Sequence, residues 1–147
     1  MSQATAKVIR MIEAPVGEVW EAITTPELVR TFFMGAEVES DFKVGSPIRF
    51  RGRFKGQSYE DKGEILVAEP EKTLSFSHYS AMSGAPDTPE NYHVVTYELT
   101  PEGGQTRVTL TQSNLQGGVT RSDEAHRLEY EKNWAGVLAG LSKTVAH

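Results

Sequence analysis

The chain has no cysteine, which excludes a disulfide framework, a thiolate nucleophile and a thiolate metal site. It also lacks a long apolar run. No stretch of its 147 residues approaches the ~20 apolar residues of a membrane-spanning helix, and Met1-Ser2-Gln3-Ala4-Thr5-Ala6-Lys7 has no apolar segment of the kind that directs secretion. Cytoplasmic residence is the resulting expectation. Positive charge is scarce: 15 Lys and Arg stand against 20 Asp and Glu, a net charge of -5. Nucleic acid and anionic membrane reward the opposite balance, so neither is expected as a partner. The four histidines, His78, His93, His126 and His147, show no metal-ligand spacing, and no HExxH is present, so no metal is expected. Neither GxGxxG nor GxxxxGK[ST] occurs, so no nucleotide cofactor is expected.

What is present is a clear order of periodicities. Near the end, from about Asp123 to Val145, Trp134, Val137, Leu138, Leu141 and Val145 recur at spacings of three and four, with Tyr130 one turn earlier. That is the apolar stripe of a long helix, which needs a curved sheet to lie against. A first strand reads from Ala6 to Glu13. Ala14-Pro15 stops it and opens a short helix buried through Val16, Val19, Trp20 and Ile23. Thr25-Pro26-Glu27 repeats the signal, with Thr25 as the candidate cap of a second short helix. Six further strands follow at about Glu37–Phe42, Pro47–Lys55, Gln57–Ala68, Thr73–Tyr79, Tyr92–Thr100 and Thr106–Asn114, joined mostly by short turns that imply antiparallel neighbours. The exception, Ser80 to Asn91 with Gly84, Pro86 and Pro89, is too long for a hairpin turn and is the candidate lid. The result is an α+β chain read as one domain over residues 1–147, long enough to bury roughly two-thirds of its unfolded surface.

Strand alternation sorts side chains by face. Ile48, Phe50, Gly52 and Phe54 share the inner face of one strand, while Arg49, Arg51, Arg53 and Lys55 form an outer basic row, read as a solvated face partly neutralised by Glu60 and Glu64. If a tight turn around Gly56 pairs Phe54 with Tyr59, then Tyr59, Asp61, Gly63, Ile65 and Val67 point inward. A one-residue bulge would instead turn Asp61 out. An inward carboxylate is costly unless bonded or paired, so it would flag function. His78, Tyr97 and Gln112 likewise fall at positions otherwise apolar. With Phe50, Phe54, Tyr59, Asp61, Tyr130 and Trp134 they could line a cavity beneath the long helix and orient a small apolar or aromatic ligand. The structural alternative is that each satisfies a core neighbour. Asp61, His78 and Tyr97 are also the inward groups that could serve as acid or base to a reaction.

An ordered set of segments carries a resemblance. These are Ile12-Glu13-Ala14-Pro15, Val19-Trp20-Glu21-Ala22-Ile23-Thr24, Pro26-Glu27, Gly63-Glu64-Ile65, Glu69-Pro70, Val95-Thr96-Tyr97-Glu98-Leu99, Val108-Thr109-Leu110-Thr111-Gln112 and Trp134-Ala135-Gly136-Val137-Leu138-Ala139-Gly140-Leu141. Together they resemble the START-like, or SRPBCC, superfamily, in the branch similar to the C-terminal domain of the activator of the heat-shock protein 90 ATPase. The resemblance implies a helix-grip fold: a curved seven-stranded antiparallel sheet around the C-terminal helix, with two short helices after the first strand. It implies a cavity but leaves its use open. Three uses are in view: binding a small hydrophobic or aromatic molecule, a co-chaperone-like interaction with a chaperone, or a cyclase or dehydratase acting on a polyketide-like substrate.

Overall fold

The computed structural model describes residues 4–33, 35–81 and 84–145, apart from the side chain of Phe54. The elements run β1 (Ala4–Ile12), α1 (Val16–Ile23), α2 (Pro26–Phe32), β2 (Glu37–Glu39), β3 (Pro47–Phe54), β4 (Gln57–Glu69), β5 (Thr73–Ser80), β6 (His93–Glu102), β7 (Gln105–Asn114) and α3 (Arg121–Val145). The strands form one antiparallel sheet in the order β1-β7-β6-β5-β4-β3-β2. Strands β2 to β7 each pair with the next. The two short helices carry the chain from β1 to the opposite edge, leaving β1 to close on β7. This is the α+β helix-grip architecture.

Local chemistry explains the boundaries. Pro26 occupies the first turn of α2, where its missing N–H is no loss, although the hydroxyl of Thr25 makes no capping bond. Strand β2 stops at Glu39 rather than Phe42 because Phe42 adopts φ 56, which ends extended backbone. Helix α3 begins two residues before the expected Asp123 because Thr120 and Asp123 cap it reciprocally. The Asp123 N–H donates to Thr120 Oγ1 at 3.0 Å, and the Thr120 N–H donates to Asp123 Oδ2 at 2.8 Å.

Lys55 and Gly56, at φ 51 and 80, form a two-residue turn of the type that matches strand twist. Phe54 is therefore opposite Gln57, and Gly52 is opposite Tyr59. The expected Phe54–Tyr59 pairing is displaced by two residues. An even displacement preserves the face, so Asp61 still lies opposite Phe50 on the inner side. The bulge does occur, but further along: the register shifts between Ile65 and Val67. Ala68, opposite Leu74, then packs on the core, and Val67 pairs with Ser75 on the other face. The inward placement of Val67 is thus corrected.

The core gathers Ile12, Val19, Ile48, Phe50, Ile65, Leu74, Val95, Leu110, Val137, Leu138 and Leu141, all buried. The C-terminal half of α3 supplies its stripe to this core, whereas Glu124 to Glu129 are exposed. Trp134 is half-buried at the boundary between these halves. Gly140 lets α3 cross α2 closely: a Cβ there would lie 3.0 Å from Cβ and 3.2 Å from Cα of Phe32.

Candidate functional site

The segment expected as a lid folds elsewhere. Its described residues lie against the outer face of the sheet, where the Tyr79 hydroxyl donates to the Ala85 carbonyl at 2.6 Å and the Tyr92 hydroxyl to Asp87 Oδ1 at 2.6 Å. Lys62, on the outer side of β4, pairs with Asp87 at 2.5 Å, and the Tyr79 and Tyr92 rings stack at 5.2 Å. Tyr79 and Lys62 alternate with His78 and Asp61, so a segment anchored on the former cannot cover the latter. Two members of the outer basic row, Arg49 and Arg51, pair with Glu39 and Glu60 rather than Glu64, and Arg53 donates to the Gly56 carbonyl at 3.2 Å. Arg51 meets Glu60 at 2.6 Å and Glu39 at 3.2 Å, and Arg49 lies 4.0 Å from Glu60. Hollows of about 690 and 440 Å³ beside these outer groups are open troughs, lined in part by the ion pairs Arg51–Glu60 and Lys62–Asp87.

On the inner side, a more enclosed cavity of about 150 Å³ separates the middle of α3 from β3, β4 and β5. Phe50, Tyr59, Asp61, His78, Gln112 and Trp134 line it, all named from the sequence. Phe33, Ala36 and Asn133 complete the lining. Phe33 follows α2 in a stretch without strand periodicity, and Asn133 lies beside the apolar stripe of α3, so neither carried a signal of its own. Phe33 stacks on Phe50 with ring centroids 5.0 Å apart and meets Trp134 at 5.8 Å, so three rings form one wall. Trp134 Nε1 donates to Gln112 Oε1 at 2.8 Å, which fixes the indole and satisfies a buried amide.

Opposite this wall, His78 Nε2 lies 3.0 Å from Asp61 Oδ2, and the His78 ring meets Phe50 edge-on at 5.7 Å. A carboxylate accepts, so this contact places the imidazole proton on Nε2. The Asp61 side chain is only 15% exposed. Its Oδ1 is buried and has no hydrogen-bond partner among the described residues. The Tyr59 ring lies over Gly52, where an added Cβ would sit 2.7 Å from its hydroxyl. Burial first, and the charge of Asp61 second, hold the Tyr59 phenol above its usual range. On the next strand, burial lowers the His93 pKa, with His78 adding to the effect and Asp123 opposing it.

Two residues named with the cavity stand apart from it. Tyr97 is packed among Ile23, Val29 and Phe76, where the remaining space is about 10 Å³, and complete burial raises its phenol pKa far above the usual range. The alternation that places Tyr97 inward is correct, but Tyr97 lies opposite Leu74, four residues along β5 from His78, at the helix-packed end of the core. Tyr130 sits half-buried a turn before Trp134, its ring 6.1 Å from that of His126. The side chain of Phe54, and His147, lie outside the described residues. Gly63, expected beside Phe50, is opposite Ile48, and a Cβ there would collide with the Ser77 carbonyl. Among the described residues no group of three or more His, Asp or Glu could hold a metal ion, and no helix is long and apolar enough to cross a membrane.

The fold recurs in known proteins. The solution structure of ChR145 from Cytophaga hutchinsonii is 43% identical, covers 94% of this chain and 90% of its own, and superposes with a TM-score of 0.76. The Aha1 dimer from Colwellia psychrerythraea is 22% identical over 95% of this chain and 94% of its own, with a TM-score of 0.69. DynU16, a protein of the dynemicin biosynthetic locus, is 23% identical over 94% of this chain and 45% of its own, with a TM-score of 0.73. The latter two likenesses show the fold alone. No curated protein matches. The sequence profile named Activator of Hsp90 ATPase homolog 1-like protein matches residues 13–146, nearly the whole chain, and with it the chain belongs to that family, within the START-like superfamily.

Proposed function

We propose that this chain binds a small apolar or aromatic molecule in the cavity between α3 and strands β3 to β5. The observation that carries the reading is the pairing of an aromatic wall, Phe33, Phe50 and Trp134, with one half-buried polar pair, Asp61 and His78, around about 150 Å³ of space. Small-molecule sites combine apolar surface with a few placed polar groups in this way, and a cavity of that size accommodates a single six-membered ring. Native mass spectrometry of freshly purified protein, followed by titration with toluene while Trp134 emission is recorded, tests it. Binding near one equivalent, with the emission change lost in Trp134→Phe, is the expected result. No adduct and no titration would remove the reading.

The family's description favours a second reading, a co-chaperone-like interaction with a chaperone ATPase. Stimulation of such an ATPase by this chain, unaffected by filling the cavity, would support it over the first. A cyclase or dehydratase would draw on the same Asp61–His78 pair for proton transfer, with turnover abolished by Asp61→Asn.

A further inference from the structure

Resting on the cavity reading, we infer that the occupant is a single aromatic ring carrying a neutral hydrogen-bond donor, a phenol-like hydroxyl, which it gives to Asp61 Oδ1. Asp61 offers two acceptor oxygens. His78 Nε2 occupies Oδ2 at 3.0 Å, and Oδ1 is buried without a donor from the described residues. A buried acceptor left unmet is costly, and a donor brought in by a ligand removes that cost.

Two of the other polar groups at the cavity are held away from Oδ1. The Trp134 N–H is given to Gln112, and the Tyr59 hydroxyl lies over Gly52 rather than against Asp61. The residues lining the cavity include no Lys or Arg. A ligand carboxylate would therefore have no free cation to meet and would face Asp61 as a like charge. The aromatic wall supplies the stacking surface, and the volume limits the ligand to about one ring.

The experiment titrates the parent protein with phenol, toluene and benzoate, which share a ring and differ in the attached group, and follows binding by calorimetry and amide chemical shifts. A hydrogen bond to a charged group is a strong one, so phenol is expected to bind about tenfold or more tightly than toluene, with benzoate weakest. In Asp61→Leu the phenol preference should fall to about unity while toluene still binds, which also shows that the variant is folded. Toluene and phenol binding the parent equally would overturn the inference and leave the cavity reading intact. A preference for benzoate would overturn it by showing a cationic site. Failure of phenol and toluene alike to bind would overturn the cavity reading itself, and the inference with it.

Discussion

The two glycines of α3 offer a test in which one substitution should have opposite signs at two positions a turn apart. Gly136 is exposed, and a Cβ added there meets nothing within 4 Å. Gly136→Ala should therefore return the helix-propensity difference alone, about 1 kcal/mol of added stability. At Gly140 the same Cβ would press against Phe32, 3.0 Å from its Cβ, 3.2 Å from its Cα and 3.4 Å from its carbonyl oxygen. Two of those three atoms are main chain and cannot swing aside. Crowding a packed contact costs about 1–3 kcal/mol, which cancels or exceeds the propensity gain. The contact is also tied by a hydrogen bond across it, between Thr31 Oγ1 and Thr144 Oγ1 at 2.7 Å. The two variants should differ by at least about 1 kcal/mol, several degrees in melting temperature for a chain of this size. Urea unfolding with unchanged m-values measures the difference directly. The variant at Gly140 should also weaken toluene binding, because Phe33 follows Phe32 into the cavity wall. Equal stabilisation by both alanines would refute the close α2–α3 crossing.

Other outcomes follow from single contacts. Gly63→Ala should lower the denaturant midpoint by the equivalent of about 3 kcal/mol, because its Cβ meets the Ser77 main chain and the β4–β5 pairing must open. Trp134→Phe should cost about 1–3 kcal/mol by leaving buried Gln112 Oε1 unmet; combined with Gln112→Leu it should cost less than the sum of the two single changes. Stability should fall as pH drops below about 6.5, because the unfolded chain protonates His93 while burial keeps the folded imidazole neutral. A second fall should begin near the unfolded Asp123 value of 3.8. Burial raises the folded Asp123 pKa, but the hydrogen bonds from Thr120 and Asn114, with the field of His93, together bring it below the unfolded value. The carboxylate's contribution is therefore present above 3.8 and lost as pH falls through the folded pKa; unfolding series from pH 8 to 3 should lose this second phase in Asp123→Asn.

Periodicity was enough to reveal the architecture because one face of each strand and one stripe of α3 must be buried, and burial leaves a mark at every second or third residue. Register was harder. Whether Phe54 faces Tyr59 or Gln57 depends on the φ of Lys55, which nothing in the residue pattern reports, and the inner position of Asp61 survived only because the displacement was even. At Leu66 an odd displacement occurs and Val67 leaves the inner face. The path of the segment after Ser80 was illegible for a different reason: its anchors, Lys62–Asp87 and Tyr79 with Tyr92, join residues whose proximity exists only after β4 and β5 have paired. Tyr97 shows the limit of face assignment, since facing inward does not distinguish the packed end of the interior from its open end.

The distinction between a core and a site rests finally on how the interior polar groups are met. Thr5 donates to the Gln112 carbonyl, Thr106 to the Ala14 carbonyl, Ser75 bonds Thr96, and Ser77 Oγ receives the Glu64 N–H. Gln112 receives the Trp134 N–H, and Asp123 receives Asn114 and Thr120. Those groups pin strands, caps and the helix to one another, and a fold alone is reason enough for them. Asp61 differs, because its bond to His78 uses one oxygen and leaves the other buried without a donor among the described residues. An apolar side chain of similar size at that position would remove this desolvation cost. If the carboxylate served only stability, Asp61→Leu would be destabilising and without consequence for the preference between phenol and toluene. A variant that gains stability while losing its preference for a hydroxyl-bearing ring would place the two demands, folding and recognition, on opposite sides of one residue.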